Sequence, residues 1–166
     1  MTKKKVLILD KERIAFKMRR MAYEIWERNS DEQEIILIGI EGSGNVVAKN
    51  LTEILREISP LKVNHITFTI NKKSPIDYVL DFDTNLNDKS VVLVDDVANS
   101  GKTLMYSLHG LLSYNLKKVI VAVLVDRKHK SFPIACDIVG HTVATTLQEH
   151  IEVVTGANKV KAVYLE

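Results

Sequence analysis

A chain of 166 residues, 46% apolar and 27% charged, is long enough to bury one core of ordinary domain size, which excludes a disordered or collagen-like polymer. Its 23 basic and 21 acidic side chains leave a net charge of only +2, so binding of nucleic acid would have to come from a local basic patch. No run approaches the roughly 18 apolar residues of a membrane span, Lys3, Lys4 and Lys5 lead into too short an apolar run for a secretory leader, and the lone Cys136 fits the reducing cytoplasm.

From Asp10 onward, Ile14, Met18, Met21, Ala22, Ile25 and Trp26 recur at helical spacing and predict one buried stripe. Asp10 is the expected N-cap, because its carboxylate can accept from the open N–H groups of the first turn; Asn29 and Ser30 end the helix. Residues 35–40 are apolar and rich in β-branched side chains, as in a strand covered on both faces. Gly39, Gly42 and Gly44 are expected to loosen the backbone there, until Val47, Leu51, Ile54, Leu55 and Ile58 resume the helical period and Pro60 stops it.

Ile66, Phe68 and Ile70 alternate within a second strand over 63–70, followed by a polar, mobile stretch at 71–75 and a short strand over 78–82. After a turn at 85–88 come a continuous apolar strand over 91–94, a polar loop, a helix built on Leu104, Leu108, Leu111 and Leu112, and a buried strand over 119–125. Periodicity assigns no place in the sheet to the shorter strands at 138–139, 151–154 and 160–165. Strands that alternate with helices and are apolar on both faces predict one α/β domain over 1–166, with a mainly parallel central sheet flanked by helices. Ligands of such sheets collect beyond the carboxyl ends of the strands, so the chemistry is expected in the loops there.

One of those loops carries the chemistry. Asp95, Asp96, Val97, Ala98, Asn99, Ser100, Gly101, Lys102 and Thr103 follow the strand at 91–94 and lead into a helix. Open N–H groups at a helix start, a glycine that lets a ligand come close, and the Ser100 and Thr103 hydroxyls form a cradle for a phosphate dianion. Adjacent carboxylates would repel that phosphate, so Asp95 and Asp96 point to the ligand's hydroxyls or to a divalent cation. A sugar phosphate satisfies both halves. The bland alternative is a capping aspartate beside a solvated neighbour. A nucleoside-triphosphate loop is excluded, because it needs a glycine five residues before Gly101, where Asp96 stands.

Residues 91–103, VVLVDDVANSGKT, resemble the phosphoribosyl pyrophosphate (PRPP) motif of type I phosphoribosyltransferases. VLVDRKHKSFPIACDIVG over 123–140, with AYEIWERN and LIGIEGSGNVVAKNL before it, is similar to the PyrR proteins of that family. These regulate pyrimidine operons by binding messenger RNA and often have uracil phosphoribosyltransferase activity. The resemblance implies the type I phosphoribosyltransferase fold with a small hood, a homodimer, and Mg2+ bound together with PRPP. It assigns Asp95 and Asp96 to the ribose hydroxyls and the metal shell, and Ala98, Asn99, Ser100, Gly101, Lys102 and Thr103 to the 5′-phosphate. Residues 40–44, Glu41, Gly42 and Ser43 among them, align with the pyrophosphate loop, Val125, Asp126 and Arg127 with the segment lining the nucleobase pocket, and 71–75 with a remnant of the hood.

The departures from the family pattern bear on chemistry. Glu41, Gly42 and Ser43 stand where many relatives carry a cation that would stabilise the leaving diphosphate. The hood segment is short, Tyr23 replaces an expected histidine, and Asn99 occupies the position of an aspartate that assists the base in purine-specific relatives. Two functions therefore stay open: an enzyme moving ribose 5-phosphate from PRPP to a nucleobase, with uracil favoured and a purine base not excluded, or an RNA-binding regulator that keeps the site as a nucleotide sensor.

Lys11, Arg13, Lys17, Arg19, Arg20 and Arg28 form either a solvated helix face or a surface for RNA phosphates. His65, His109, His129, His141 and His150 lack metal-ligand spacing. Trp26 is expected in the core and Cys136 in a structural role.

Overall fold

The structure, a computed structural model, describes residues 5–71, 73, 78–79, 83–146 and 149–166. The chain runs β1 (Val6–Leu9), α1 (Lys11–Arg28), β2 (Glu34–Ile40), α2 (Ser43–Ile58), β3 (Lys62–Ile70), β4 (Tyr78–Val79), β5 (Ser90–Ala98), α3 (Lys102–Leu111), β6 (Lys118–Arg127), β7 (Ile138–Val143), β8 (Ile151–Gly156) and β9 (Lys159–Leu165).

The capping of α1 follows the sequence expectation: Asp10 Oδ1 accepts from the Arg13 backbone N–H at 2.8 Å. Ile14, Met18, Met21, Ala22 and Ile25 of α1 are buried, while Trp26 is only half-buried, its ring 6.2 Å from that of Tyr23. At the far end, buried Asn29 donates through Nδ2 to the Ile25 carbonyl at 2.7 Å and accepts from Ser90 Oγ at 2.6 Å. The end of α1 is thereby tied to the start of β5, and a buried amide finds both partners it needs.

The central sheet has the order β4-β3-β2-β5-β6-β7. Its strands β3, β2, β5, β6 and β7 are parallel, and β4 alone is antiparallel, at the edge. Two-faced apolar strands divide their side chains between two cores. Leu37, Val92, Val94, Ala122 and Leu124 face α1 and α2. Ile36, Ile38, Val91, Leu93, Val121 and Val123 face α3, together with Phe68 and Leu86. The alternation is the period-two geometry of a strand, and burial on both sides is what a parallel sheet requires.

Three features depart from the periodicity reading. Strand β5 continues through Asp95 and Asp96 to Ala98, because Asp95 and Val97 lie opposite Val123 and Val125 of β6 and the ladder holds the polar residues in place. The helix expected to include Leu112 ends at Leu111, and Leu112 is 73% exposed. The run at 6–9 is a strand, and it pairs with the opposite end of the chain in a separate antiparallel sheet of order β1-β9-β8. Ala157 and Asn158, at φ 51° and 57°, turn its β8–β9 hairpin. Asn50 of α2 locks that turn, donating to the Asn158 carbonyl at 2.8 Å and accepting from Val160 N at 3.3 Å.

Residues 72, 74–77 and 80–82 lie outside the described residues, and with them most of the segment expected to form the hood and the end of the strand expected over 78–82. Among the described residues no helix is long and apolar enough to cross a membrane.

Candidate active site

The sheet order changes direction at the boundary between β2 and β5: the chain proceeds outward from β2 to β3 on one side and from β5 to β6 and β7 on the other. Ligands of open parallel sheets bind beyond the carboxyl ends of the strands at such a switch point. The loop after β2 carries Glu41 and Gly42, that after β5 carries Asn99, Ser100 and Gly101, and that after β6 follows Arg127. Three segments separated in sequence thus meet at one end of the sheet.

Asp95 is buried, with 8% exposure, and its Oδ1 accepts from the Asp96 backbone N–H at 2.8 Å. Half-buried Asp96 repeats the pattern, its Oδ1 accepting from Val97 N at 2.8 Å. These local bonds fix the orientation of both carboxylates. Gly44, in the first turn of α2, sits directly against Asp95: a Cβ there would lie 2.6 Å from Asp95 Oδ1 and 3.1 Å from Asp95 Cα. Gly39 is equally tight against Asn45. These two glycines therefore permit close packing, rather than loosening the chain as expected from sequence; only Gly42, at φ 97°, uses the freedom of its backbone. Glu41 and Gly42 are exposed and Ser43 is half-buried as the first residue of α2. That helix starts with no side-chain cap bond and no acid in its first turn, so the N–H groups at its start are left for a ligand or water.

Beyond the acid pair, Gly101 takes the left-handed conformation at φ 82° and a Cβ on it would meet Ile134 Cγ2 at 2.6 Å. Any side chain is thus excluded twice over. The segment behind the loop braces it, with Phe132 N donating to the Ser100 carbonyl at 3.0 Å. Ser100 Oγ accepts from Lys102 N at 3.2 Å. Ala98 is buried, Thr103 half-buried, and Asn99 and Lys102 exposed. A cavity of about 130 Å³ is lined by Asp95 together with Ser100, Gly101 and Thr103.

The end of β6 closes the group differently from its sequence reading. Val125 is fully buried in the core that faces α1 and α2. Asp126 is already paired with Lys130 at 2.6 Å, and Lys130 Nζ also donates to the Arg127 carbonyl at 3.2 Å. Arg127 donates through Nη1 to Asn99 Oδ1 at 2.6 Å and through Nη2 to the Thr146 carbonyl. A guanidinium only donates, so the Asn99 amide is held with its oxygen toward Arg127 and its NH2 on the other side. Lys130 escaped the sequence reading, as did the contact of Gly44 with Asp95; Lys130 stands four residues beyond Asp126, a spacing that carries meaning only once the loop is folded.

No group of three or more His, Cys, Asp or Glu side chains able to hold a metal occurs among the described residues. Asp95 and Asp96 carry hard oxygen donors, the ligand type that suits a cation such as Mg2+, which completes its shell from ligand and water. Cys136 is partly buried, which pushes its thiol up to about 12 and removes it from nucleophilic chemistry. On the basic face of α1, Arg19 pairs with Glu57, Arg20 with Glu24 and with the Val139 and Gly140 carbonyls, and Arg28 with the Asp137 carbonyl. These three are held by the protein itself, whereas the side chains of Arg13 and Lys17 have no such partner among the described residues.

Comparison with known proteins gives the same reading. Residues 7–157 match the phosphoribosyl transferase domain family. The chain is 37% identical over 160 residues to the bifunctional protein PyrR of Alkaliphilus metalliredigens, which spans 90% of this chain and 88% of that one. It is 35% identical over 157 residues to the bifunctional protein PyrR of Fusobacterium nucleatum, across 89% of each. A hypoxanthine phosphoribosyltransferase of Trypanosoma cruzi superposes with a TM-score of 0.81 over 96% of this chain and 97% of that one, at 14% identity, a likeness of fold alone. The agreement extends along nearly the whole chain and includes both the strand that carries the acid pair and the glycine loop that follows it, so the chain belongs to the phosphoribosyltransferase family, among its PyrR proteins.

Proposed function

We propose that this protein transfers ribose 5-phosphate from PRPP to a ring nitrogen of uracil. The bond from the anomeric carbon to the diphosphate oxygen breaks, a carbon–nitrogen bond forms, the ring nitrogen loses its proton and pyrophosphate leaves. The observation that supports the reading is one cavity lined by both Asp95 and the Ser100, Gly101 and Thr103 cradle, with the start of α2 packed against the same acid.

The chain's residues divide the work. The cradle's N–H groups and hydroxyls bind the 5′-phosphate. That remote anchor holds the sugar so that its anomeric carbon is presented to the acceptor. Asp95 and Asp96 take the ribose hydroxyls and lie where positive charge grows on the sugar as the diphosphate departs. The donor set, two carboxylates and no third protein ligand, fits Mg2+, which when bound supplies neutralisation of the diphosphate. The Asn99 amide, unable to act as a base at neutral pH, offers its NH2 to an acceptor atom of the nucleobase. Release of pyrophosphate from PRPP, measured in turn with uracil, hypoxanthine, guanine and xanthine, tests the proposal. Uracil is expected to be turned over fastest, and no turnover with any of the four overturns it.

A second reading, an RNA-binding regulator with the same site as its nucleotide sensor, is favoured by one surface. Arg13, Lys17 and His141 surround Phe16, which is 71% exposed, in a cavity of about 260 Å³ whose lining holds no acid. Burial and the neighbouring cations push the Lys17 and His141 pKa values down. Messenger RNA bound there would lose affinity steeply with salt and respond to UMP; salt-insensitive or absent binding overturns this reading. The homodimer implied by the family belongs to the same proposal and is tested by light scattering.

A further inference from the structure

We infer that Asn45 and His65 are positioning residues that hold the 41–44 turn in the shape that receives the diphosphate, an inference that rests on the PRPP reading above.

The turn has little of its own to fix it. Gly42 caps α2 without a side chain, at φ 97°, and residues 43 and 44 are a serine and a glycine. Its shape is imposed by β3, at both ends. In front, the Glu41 N–H donates to the Phe68 carbonyl at 2.9 Å. Behind, Asn45 Oδ1 receives two donors from the same strand, His65 Nε2 at 2.7 Å and Thr67 Oγ1 at 3.0 Å. Asn45 N closes the turn on the Gly42 carbonyl at 3.1 Å.

The fit is close on the remaining side. A Cβ on Gly39 would stand 2.7 Å from both Asn45 Cα and Asn45 Oδ1. Asn45 is therefore seated on the bare backbone of β2, tied to β3 by its side chain, and followed back along the chain by the Gly44 that abuts Asp95. Loss of the tie lets the first turn of α2 shift while leaving the 95–103 loop, which is braced by the 132–134 segment, where it is. His65 is half-buried, and burial with Lys49 and Arg56 pushes its pKa down, so the ring is neutral at pH 7 and meets Asn45 as an Nε2–H donor.

The test separates the two ends of the substrate. Magnesium pyrophosphate and ribose 5-phosphate are titrated separately by calorimetry into the wild type, His65→Leu, His65→Gln and Asn45→Ala. Removal of a hydrogen bond within the clamp should weaken pyrophosphate about tenfold in the Leu and Ala variants. His65→Gln, which keeps an amide donor at similar reach, should restore binding to within about threefold. Ribose 5-phosphate affinity should stay unchanged in all of them, and KM for PRPP should rise with kcat nearly constant. Equal loss of both ligands, or no loss of pyrophosphate in either the Leu or the Ala variant, overturns the inference. Failure of the wild type to bind magnesium pyrophosphate overturns the PRPP reading itself and the inference with it. Thr67→Val, at an exposed position, gives the same readout where a more buried change fails to fold.

Discussion

Gly44 of α2 and Asp95 of β5 are in direct contact, close enough that a single added methyl group would sit 2.6 Å from the carboxylate oxygen. Asp95 is anchored in the β5–β6 ladder and Gly44 lies in the first turn of α2, so their contact sets how closely that turn can approach Asp95.

Gly44→Ala is expected to push that junction apart. Overpacking at a buried position costs about 1–3 kcal/mol, equivalent to a fall in Tm of about 2–12 °C at about 2–4 °C per kcal/mol for a chain of this size. Affinity for PRPP should fall by more than about tenfold, because the two loops no longer meet one ligand. Gly156→Ala is the control: its Cβ would meet only Lys161, at 3.5 Å, an ordinary contact. Calorimetric titration with PRPP alongside thermal unfolding checks both; an unchanged affinity in Gly44→Ala refutes the coupling.

Asp95→Asn and Asp96→Asn remove charge but keep an oxygen able to accept the backbone N–H bonds that orient the acids. The fold should therefore survive, with a Tm within a few degrees of wild type. Loss of one carboxylate is expected to weaken PRPP in the presence of magnesium by about 10–100-fold, the range expected for a buried charge-assisted contact, and loss of both by more. Equal PRPP affinity in the double variant and the wild type would remove the basis of the proposed function.

Much of this architecture could be read from the chain. The α1 stripe and its Asp10 cap are local patterns, and the apolar runs of β2, β5 and β6 declare strands buried on both faces. The 95–103 segment was legible as a unit because acids, glycine and hydroxyls are contiguous along the chain. What was not legible depends on partners distant in sequence. Strand β1 is short and half exposed, and becomes a strand only through β9, at the other end of the chain. Asp95 and Asp96 count as strand residues only because β6 lies beside them. Lys130 neutralises Asp126, and Arg127 turns toward Asn99, through loops whose course no periodicity specifies.

Asn99→Asp places a carboxylate, able to accept a proton, where the proposed function has the amide meet the nucleobase. The Arg127 guanidinium, 2.6 Å away, then pairs with a carboxylate instead of a neutral amide, so the side chain should keep its place. The expected result is a rise in kcat/KM for hypoxanthine relative to uracil, by about tenfold or more, the lower part of the range for general-base assistance. The ratio of the two specificity constants, measured on one preparation, decides it; a ratio equal to that of the wild type shows that residue 99 does not face the base.

Cys136 gives a pH dependence with a definite sign. Its thiol is raised from 9.0 to about 12, first by burial and then by the charge of Asp126. Below pH 9 the folded and unfolded chains both keep the proton, and the group does not influence stability. Between 9 and about 12 the unfolded chain loses its proton while the folded chain retains it, so stability falls as pH rises through that window. Cys136→Ala should therefore lose less Tm than the wild type between pH 8 and pH 10. Alkylation of the native thiol by iodoacetamide at pH 8 should be slow, and fast only after unfolding. Rapid alkylation of the native protein would contradict the assignment.

Glu41 stands in the turn proposed to receive the diphosphate. It is exposed, it precedes the uncapped start of α2, and its charge opposes any anion arriving there. Glu41→Lys reverses that charge. A cation near a helix N-terminus is itself unfavourable by about 0.3–1 kcal/mol, so the variant should be slightly less stable than the wild type in the absence of ligand. With diphosphate present the balance inverts, since the lysine now lies beside several negative charges instead of open N–H groups alone. KM for PRPP is expected to fall by about three- to tenfold at low salt, corresponding to about 0.7–1.4 kcal/mol, with the gain shrinking as ionic strength rises. Steady-state kinetics at two salt concentrations, with Tm measured on the same samples, separates the effects. A lower Tm without a lower KM would show that the diphosphate does not approach this turn.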